Sequence, residues 1–313
     1  MSTRGAIITG WGTALPDKTV TNYDLATRME TSHDWIVERT GIHERHIGGT
    51  TSGLAIEAGR RAMEHAGVDP LSIDQQILST TTPDQTVPAT APTVQHALGL
   101  KAGAFDLNAA CSGFMYGLVA GHGLIAMGAT RVLLIGAETL SRITDENDRG
   151  TAILFADGAG AVVLDLVDGP GQLCGWDLQS NGAMASILYA EVGDVHKMEG
   201  KEVFRQAVKV MVDSANKSMA MAGITVDQLR LLVPHQANIR IIEAACNRLG
   251  VPMEKTSNVL RTTGNTSSAS IPLALAAALD ADRVQPGDYV LLVGFGAGMT
   301  GASAVLRWGG VHS

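Results

Sequence analysis

The sequence predicts an α/β protein of two duplicated halves, each a mixed, largely parallel sheet covered by helices. Three observations carry that expectation. Strand-like apolar runs alternate with helix-like runs along the whole chain, the pattern that places helices on the faces of a parallel sheet. The two halves share an outline of elements. Glycine is abundant, at 36 residues, and aromatics make up only 4% of the chain, so tight packing of small side chains is expected.

The first strand is "GAIITGWG", which runs into a turn and lacks the longer apolar segment and cleavage site of a secretion signal. "SGLAIEAGRRAMEHAG" repeats its apolar residues at helical spacing, and "QQILSTT" follows as a strand. A helix "TAPTVQHALG" and a strand "GAFDLNA" lead to Cys111 and a long uncharged run. The strands "RVLLIGAE" and "GAGAVVLDLV" close the first half. Asp, Gly and Pro cluster in "LVDGPGQ", which places the seam there and divides the chain into 1–168 and 169–313. The second half repeats the scheme: "LCGWDLQSN", the helix "KEVFRQAVKVMVDSANKSMAMAG", the strand "LRLLVPH", the helices "ANIRIIEAACNRLG" and "SIPLALAAALD", then "YVLLVGFG" and "GASAVLRW". In both copies a helix ends in Ala-Gly, an Asp follows shortly, and the next strand reaches a polar tip, "STTTPD" or "VPHQAN".

Composition excludes several classes of function. A formal net charge of −8 argues against nucleic acid, whose phosphates need many basic contacts. The stretch 109–130 is long enough to span a membrane, but it holds five Gly and reads as a buried core helix. Three widely spaced cysteines make neither a disulfide framework nor a metal pair, which fits a reducing cytoplasmic setting. Cys174 and Cys246 read as apolar filler. His43, Glu44 and His46 in "GIHERHIGG" do not meet H-E-x-x-H, and no metal is expected.

Ligands of parallel sheets gather beyond the carboxyl ends of strands, so the residues just after strands are the candidates. Cys111 follows "FDLNAA" and opens a Gly/Ala-rich helix. It fits a buried small residue, and equally a nucleophile whose pKa the helix N-terminus lowers. His235 projects from the tip of "LLVPH" as a base, a hydrogen-bond donor or a capped structural residue. Asn265, after Gly264 in "RTTGNTSSAS", fits ordinary capping chemistry as well as a site role. "GFGAGMTGAS" spaces Gly296, Gly298 and Gly301 as G-x-G-x-x-G, but a strand follows it. A tight turn presenting backbone N–H groups to a reacting carbonyl fits better than a phosphate cradle.

Taken in order, "DLNAACSGF", "VPHQAN", "GNTSSASIP" and "GFGAGMTGAS" resemble the β-ketoacyl-acyl carrier protein synthase III family of thiolase-fold condensing enzymes. "TSHDWIVERTGIHERHI" and "DRGTAILFADGAGAVVL" resemble it too, so the likeness covers nearly the whole chain. The resemblance implies a thiolase-like five-layered αβαβα fold and a homodimer. It also implies a Cys111–His235–Asn265 triad, with an oxyanion site formed by the backbone N–H groups of Cys111 and Ala297. The implied reaction acylates Cys111 from an acyl-CoA. Decarboxylative condensation with malonyl-acyl carrier protein then initiates fatty acid synthesis. The alternative is a starter enzyme or acyltransferase of secondary metabolism. A non-catalytic acyl- or redox-binding module is a third class. No cofactor is implied, since CoA thioesters are substrates.

The same resemblance places Trp35 and Arg149 around the adenine of CoA. Arg39 and Thr40 fall on the nucleotide and pantetheine path, and Asn238 and Phe204 in the tunnel. Carrier-protein docking falls to Gln236, Ala237, Asn238, Ile239 and Arg240, with Lys201, Arg205 and Lys209 at i, i+4 and i+8 of one helix. Val87 stands where a bulkier residue of a partner subunit often closes the acyl pocket. Gly301 replaces an aromatic expected at the tunnel mouth.

Overall fold

A computed structural model describes residues 4–309. Two sheets organise the chain. The first contains β1 (Arg4–Ala14), β2 (Gln75–Ser79), β3 (Gly103–Leu107), β4 (Arg131–Thr139) and β5 (Asp157–Asp168), in the order β1-β5-β4-β2-β3. The second contains β6 (Leu173–Ser180), β7 (Leu229–Pro234), β8 (Tyr289–Gly296) and β9 (Thr300–Arg307), in the order β6-β9-β8-β7. The principal helices are α1 (His33–Thr40), α2 (Thr51–Ala66), α3 (Thr90–Ala97), α4 (Gly113–Met127), α5 (Gly200–Ala222), α6 (Ile239–Leu249) and α7 (Ser270–Asp280).

The duplication is visible strand by strand. β1 runs antiparallel to β5, β5 antiparallel to β4, and β4 parallel to β2. β6, β9, β8 and β7 repeat those three relations in the same order. β3 lies parallel beside β2, and its counterpart shrinks to a single parallel bridge from Thr256 to Leu232.

Alternation along the strands builds five layers. On β4, Val132 and Leu134 face inward while Leu133 and Ile135 face outward under α2 and α3. On β8, Val290 and Leu292 face inward while Leu291 and Val293 pack under α5 and α6. Both strands are buried on both faces, which is why they read as unbroken apolar runs. The middle layer is α4 and α7, with Phe114, Met115 and Leu118 of one helix and Ile271, Ala274 and Leu275 of the other in a single core between the sheets. The segment Ala110–Met127 has the length and apolarity of a membrane span, yet half of it is buried inside this sandwich.

α4 and α7 are entered alike. A 3-10 turn, Ala110–Ser112, precedes α4, and another, Ser267–Ala269, precedes α7. The first residue of each turn takes a left-handed backbone, with φ of 50° at Ala110 and 48° at Ser267. The second sequence half therefore returns to the same corner of the molecule that the first half built.

Close backbone approach fixes that corner. A Cβ built on Gly136 of β4 would stand 2.4 Å from the backbone oxygen of Ser268, where no flexible side chain yields. Gly136→Ala is expected to lower stability by about 1–3 kcal/mol, the usual cost of forcing an extra methyl group into a packed interior. Equilibrium denaturation of the two proteins measures it; equal midpoints would show that the corner relaxes freely.

Candidate active site

β3 ends at Leu107, and the turn 108–110 carries the chain to Cys111. Asn108 Oδ1 accepts the Ala110 N–H at 3.1 Å, and the Thr300 hydroxyl donates to the Ala109 carbonyl at 3.0 Å, so the two residues before the cysteine are held. Gly296 faces it from the second half: a Cβ there would lie 2.6 Å from Cys111 N. That approach brings the 3-10 turn Ala297–Met299 against the thiol. The strand β9 then leaves directly from the turn, as the "GFGAGMTGAS" pattern suggests.

His235 follows β7 at its carboxyl end and is 1% exposed. Its backbone N–H donates to Val293 O at 2.8 Å. Nδ1 lies 2.6 Å from the Ser270 hydroxyl, whose oxygen also accepts the Gln236 N–H at 3.3 Å. The ring of Phe295 stands edge-on at 5.4 Å. Burial pushes the imidazole down to about 3, so the ring is neutral at physiological pH.

Asn265 is tied at both ends of its peptide unit, its N–H to Leu154 O and its carbonyl to the Ala156 N–H, each at 2.9 Å. Its Oδ1 accepts the Ser267 N–H at 2.9 Å. With the amide oxygen committed, Nδ2 is the group left to face the cavity. Capping and site chemistry are thus both present in this one side chain.

One cavity of about 450 Å³ is lined by Cys111, His235 and Asn265 together. It runs out past Phe204, Asn238 and Thr40 to a mouth at Trp35, Arg39, Lys201 and Arg240. The guanidinium of Arg149 stands 4.5 Å from the Trp35 ring centre and that of Arg39 stands 4.8 Å away. Trp35 is thus already in contact with two guanidinium groups. A second cavity, of about 360 Å³, also reaches Cys111 and touches Ala297, Leu188 and His196.

Burial pushes the Cys111 thiol up to about 12. A hydrogen bond from Ser267 opposes that rise, and the Glu138 carboxylate adds to it. This loss of hydration opposes the lowering expected from the helix N-terminus.

The chain matches two family descriptions, 3-oxoacyl-[acyl-carrier-protein] synthase III over residues 105–182 and its C-terminal part over 219–308. It is 45% identical to β-ketoacyl-[acyl-carrier-protein] synthase III of Roseiflexus sp. (strain RS-1), covering 97% of this chain and 98% of that one. The chain belongs to the β-ketoacyl-[acyl-carrier-protein] synthase III family. Among solved structures, the 3-oxoacyl-[acyl-carrier-protein] synthase III of Aquifex aeolicus VF5 superposes with a TM-score of 0.95 at 39% identity, covering 97% of this chain and all of that one. The priming β-ketosynthase of the R1128 polyketide pathway superposes with a TM-score of 0.93 at 37% identity, covering 98% and 97%. The five-layered thiolase-like fold expected from the sequence is the family's fold.

Several residues carried over from synthase III relatives sit elsewhere than expected. Gln236 is fully buried: its Nε2 donates to Pro234 O at 2.6 Å and its Oε1 accepts the N–H groups of Val259 and Leu260. It anchors the turn before Asn265 and offers no surface to a carrier protein. Ala237, 6% exposed, belongs to the tunnel wall. Gly301 is buried beneath α5, where a Cβ would stand 2.3 Å from Val210, so it is no part of the mouth. Val87 is no such departure: expected to face a partner subunit's pocket, it is 81% exposed on its own chain. Lys201, Arg205 and Lys209 do share the exposed face of α5, and Arg205 pairs with Glu202 at 2.8 Å. Sequence reasoning passed over Ser267, Ser270, Glu138 and His196; the first two were hidden in a Ser/Thr run that reads as capping.

Burial also lowers His122 and His196, each to about 4 against an ordinary 6.5. Together with His235 they stay neutral in the folded state where the unfolded chain binds protons. Stability is therefore full above pH 6.5 and declines as pH falls from there toward 4, by about 1.4 kcal/mol per unit for each histidine at the steepest. Denaturation midpoints across that range measure the slope; a flat profile would contradict the buried, neutral assignments.

Proposed function

We propose that the protein is a β-ketoacyl-acyl carrier protein synthase III acting from the Cys111 corner. The observation that carries this reading is the convergence of Cys111, His235 and Asn265 on one cavity whose basic, aromatic mouth suits a CoA nucleotide. In the first half-reaction Sγ attacks the acyl-CoA carbonyl. The backbone N–H groups of Cys111 and Ala297 take up the oxyanion charge. The C–S bond to CoA breaks, CoA leaves as its thiol with the Cys111 proton, and the acyl group remains on sulfur.

In the second half-reaction malonyl-acyl carrier protein occupies the same tunnel. Loss of CO2 places charge on the malonyl thioester oxygen, and His235 Nε2–H and Asn265 Nδ2–H donate to it. This role requires the Ser270 hydroxyl to give its proton to Nδ1, 2.6 Å away, and the Ser270 oxygen's acceptance of the Gln236 N–H leaves that proton free to do so. A neutral donor is what the step needs, which accords with the depressed histidine. The enolate carbon attacks the acyl carbonyl, the bond to Cys111 breaks, and a β-ketoacyl-carrier protein leaves.

Lys201, Lys209 and Arg240 form the basic face for an acidic carrier protein. A second copy of the chain covers the free edge of β3, where Phe105 is 39% exposed, and brings Val87 to the neighbour's acyl cavity. The setting is cytoplasmic, in keeping with three free cysteines. The likeness to a priming polyketide synthase favours a secondary-metabolic starter enzyme as the second reading.

Intact mass measurement after acyl-CoA addition is expected to show an acyl adduct on Cys111, discharged to β-ketoacyl product by malonyl-carrier protein. Cys111→Ser forming product at the wild-type rate would overturn covalent catalysis. His235→Ala and Asn265→Ala are each expected to cost about 10²–10³ in condensation. Independently, Lys209→Glu is expected to raise KM for malonyl-carrier protein several-fold while acylation by acyl-CoA is unchanged; an unchanged KM removes α5 from the docking face.

A further inference from the structure

Arg45 is a buried cation that touches no substrate path. It is 1% exposed and lines neither cavity that reaches Cys111. Its guanidinium donates to Val20 O at 3.1 Å, to Asn22 Oδ1 at 2.7 Å and to Ile153 O at 3.2 Å. These acceptors are all neutral, and no carboxylate pairs with Arg45 among the described residues. Burial pulls the group down to about 10, so it remains charged at physiological pH. Stability gives little reason for such a group, because well-packed apolar residues often serve a buried ionic site at least as well. What a guanidinium adds is a rigid planar fork that holds several acceptors at fixed angles.

Two of the groups it holds flank Asn265. The first is Ile153, which leads into the segment 154–156. There Leu154 O accepts the Asn265 N–H and the Ala156 N–H donates to Asn265 O, each at 2.9 Å, so Phe155 and Asn265 form a parallel bridge. The second is Gly264, against which the arginine stem lies. A Cβ built on that glycine, whose φ is +66°, would stand 3.1 Å from Arg45 Cβ. One side chain thus braces both the segment that carries the Asn265 peptide and the residue that leads into it. The Ser267 N–H orients the amide at the tip of Asn265, and the Arg45 contacts set where its peptide stands.

We propose that Arg45 is a positioning residue for Asn265, acting through Ile153 and Gly264, and that it serves condensation rather than acylation. The division follows from what Arg45 reaches. The turn that carries Cys111 is held by Asn108 and Thr300, and Ala297 follows the close approach of Gly296; Arg45 touches none of these. Asn265 donates only when charge develops on the malonyl thioester oxygen. A donor displaced by about 1 Å at that moment costs up to about 10²-fold.

The proposal rests on the role given to Asn265 in the second half-reaction. The two half-reactions are timed separately. Acylation of Cys111 is followed by intact mass with acetyl-, butyryl- and hexanoyl-CoA, and the isolated acyl-enzyme is then discharged with malonyl-carrier protein. Arg45→Met is expected to lower the maximal discharge rate by on the order of tenfold to a hundredfold, with KM for malonyl-carrier protein and the acylation rate nearly unchanged. In an Asn265→Ala background the same substitution is expected to cost almost nothing further, because the group it positions is gone. Arg45→Lys keeps the cation and loses the fork. It is expected to show the same pattern with a smaller loss, and it decides the matter if the Met variant folds poorly. Discharge at the wild-type rate in both variants, equal losses in the two half-reactions, or a full further loss in the Asn265→Ala background would each overturn the proposal and leave the condensing reading standing. Asn265→Ala discharging at the wild-type rate would overturn the role of Asn265 itself, and this one with it.

Discussion

A single buried carboxylate holds the catalytic corner together. Glu138, at the carboxyl end of β4, is fully enclosed. One of its oxygens accepts from the hydroxyls of Thr80, Thr81 and Thr82 and from the Thr81 N–H, at 2.7–3.2 Å. The other lies 2.9 Å from the Ser268 hydroxyl, which is also 2.9 Å from Ser79 O. A carboxylate so deep is tolerable only when its lone pairs are satisfied, and here the donors come from both halves of the chain. Because Ser268 follows Ser267, and Ser267 in turn fixes the amide of Asn265, the orientation of Asn265 is inherited from this cluster.

Burial then decides the protonation states. The same loss of hydration raises the thiol and lowers the imidazole, so the resting pair is neutral on both sides. An ion pair between them would have needed strong local compensation. A neutral donor pair needs only alignment, and the Ser270 and Ser267 contacts give that alignment. Cys111 and His235 are therefore placed to receive charge that arises during reaction while carrying none themselves beforehand.

Much of this was legible in the sequence. The alternation of apolar runs marked the strands, and "SIPLALAAALD" coincides with α7 to the residue because its flanks change character sharply. Cys111 and His235 lie just past strand ends, whereas Asn265 follows a short helical turn, Leu260–Thr263, and Gly264; what singled out all three was the ordered resemblance of their motifs to the synthase III family. The short helix α1 escaped notice because only Ile36 and Thr40 of it are buried, leaving little periodic signal. Gln236 looked like a surface residue because local sequence carries no sign of the remote turn it holds. Glu138 was indistinguishable from any acidic residue closing a strand, since its partners arrive from positions 80–82 and 268. His196 lies in a stretch with little regular structure, where periodicity has nothing to report.

The distribution of charge along the tunnel has a consequence for ionic strength. Arg39, Lys201 and Arg240 stand at the mouth, while the inner wall around Cys111 relies on helix N-termini and neutral donors. Dissolved ions screen exposed charges over about 8–10 Å and reach dry, enclosed dipoles far less. Salt therefore acts on how substrates find this protein and hardly at all on what happens once they arrive.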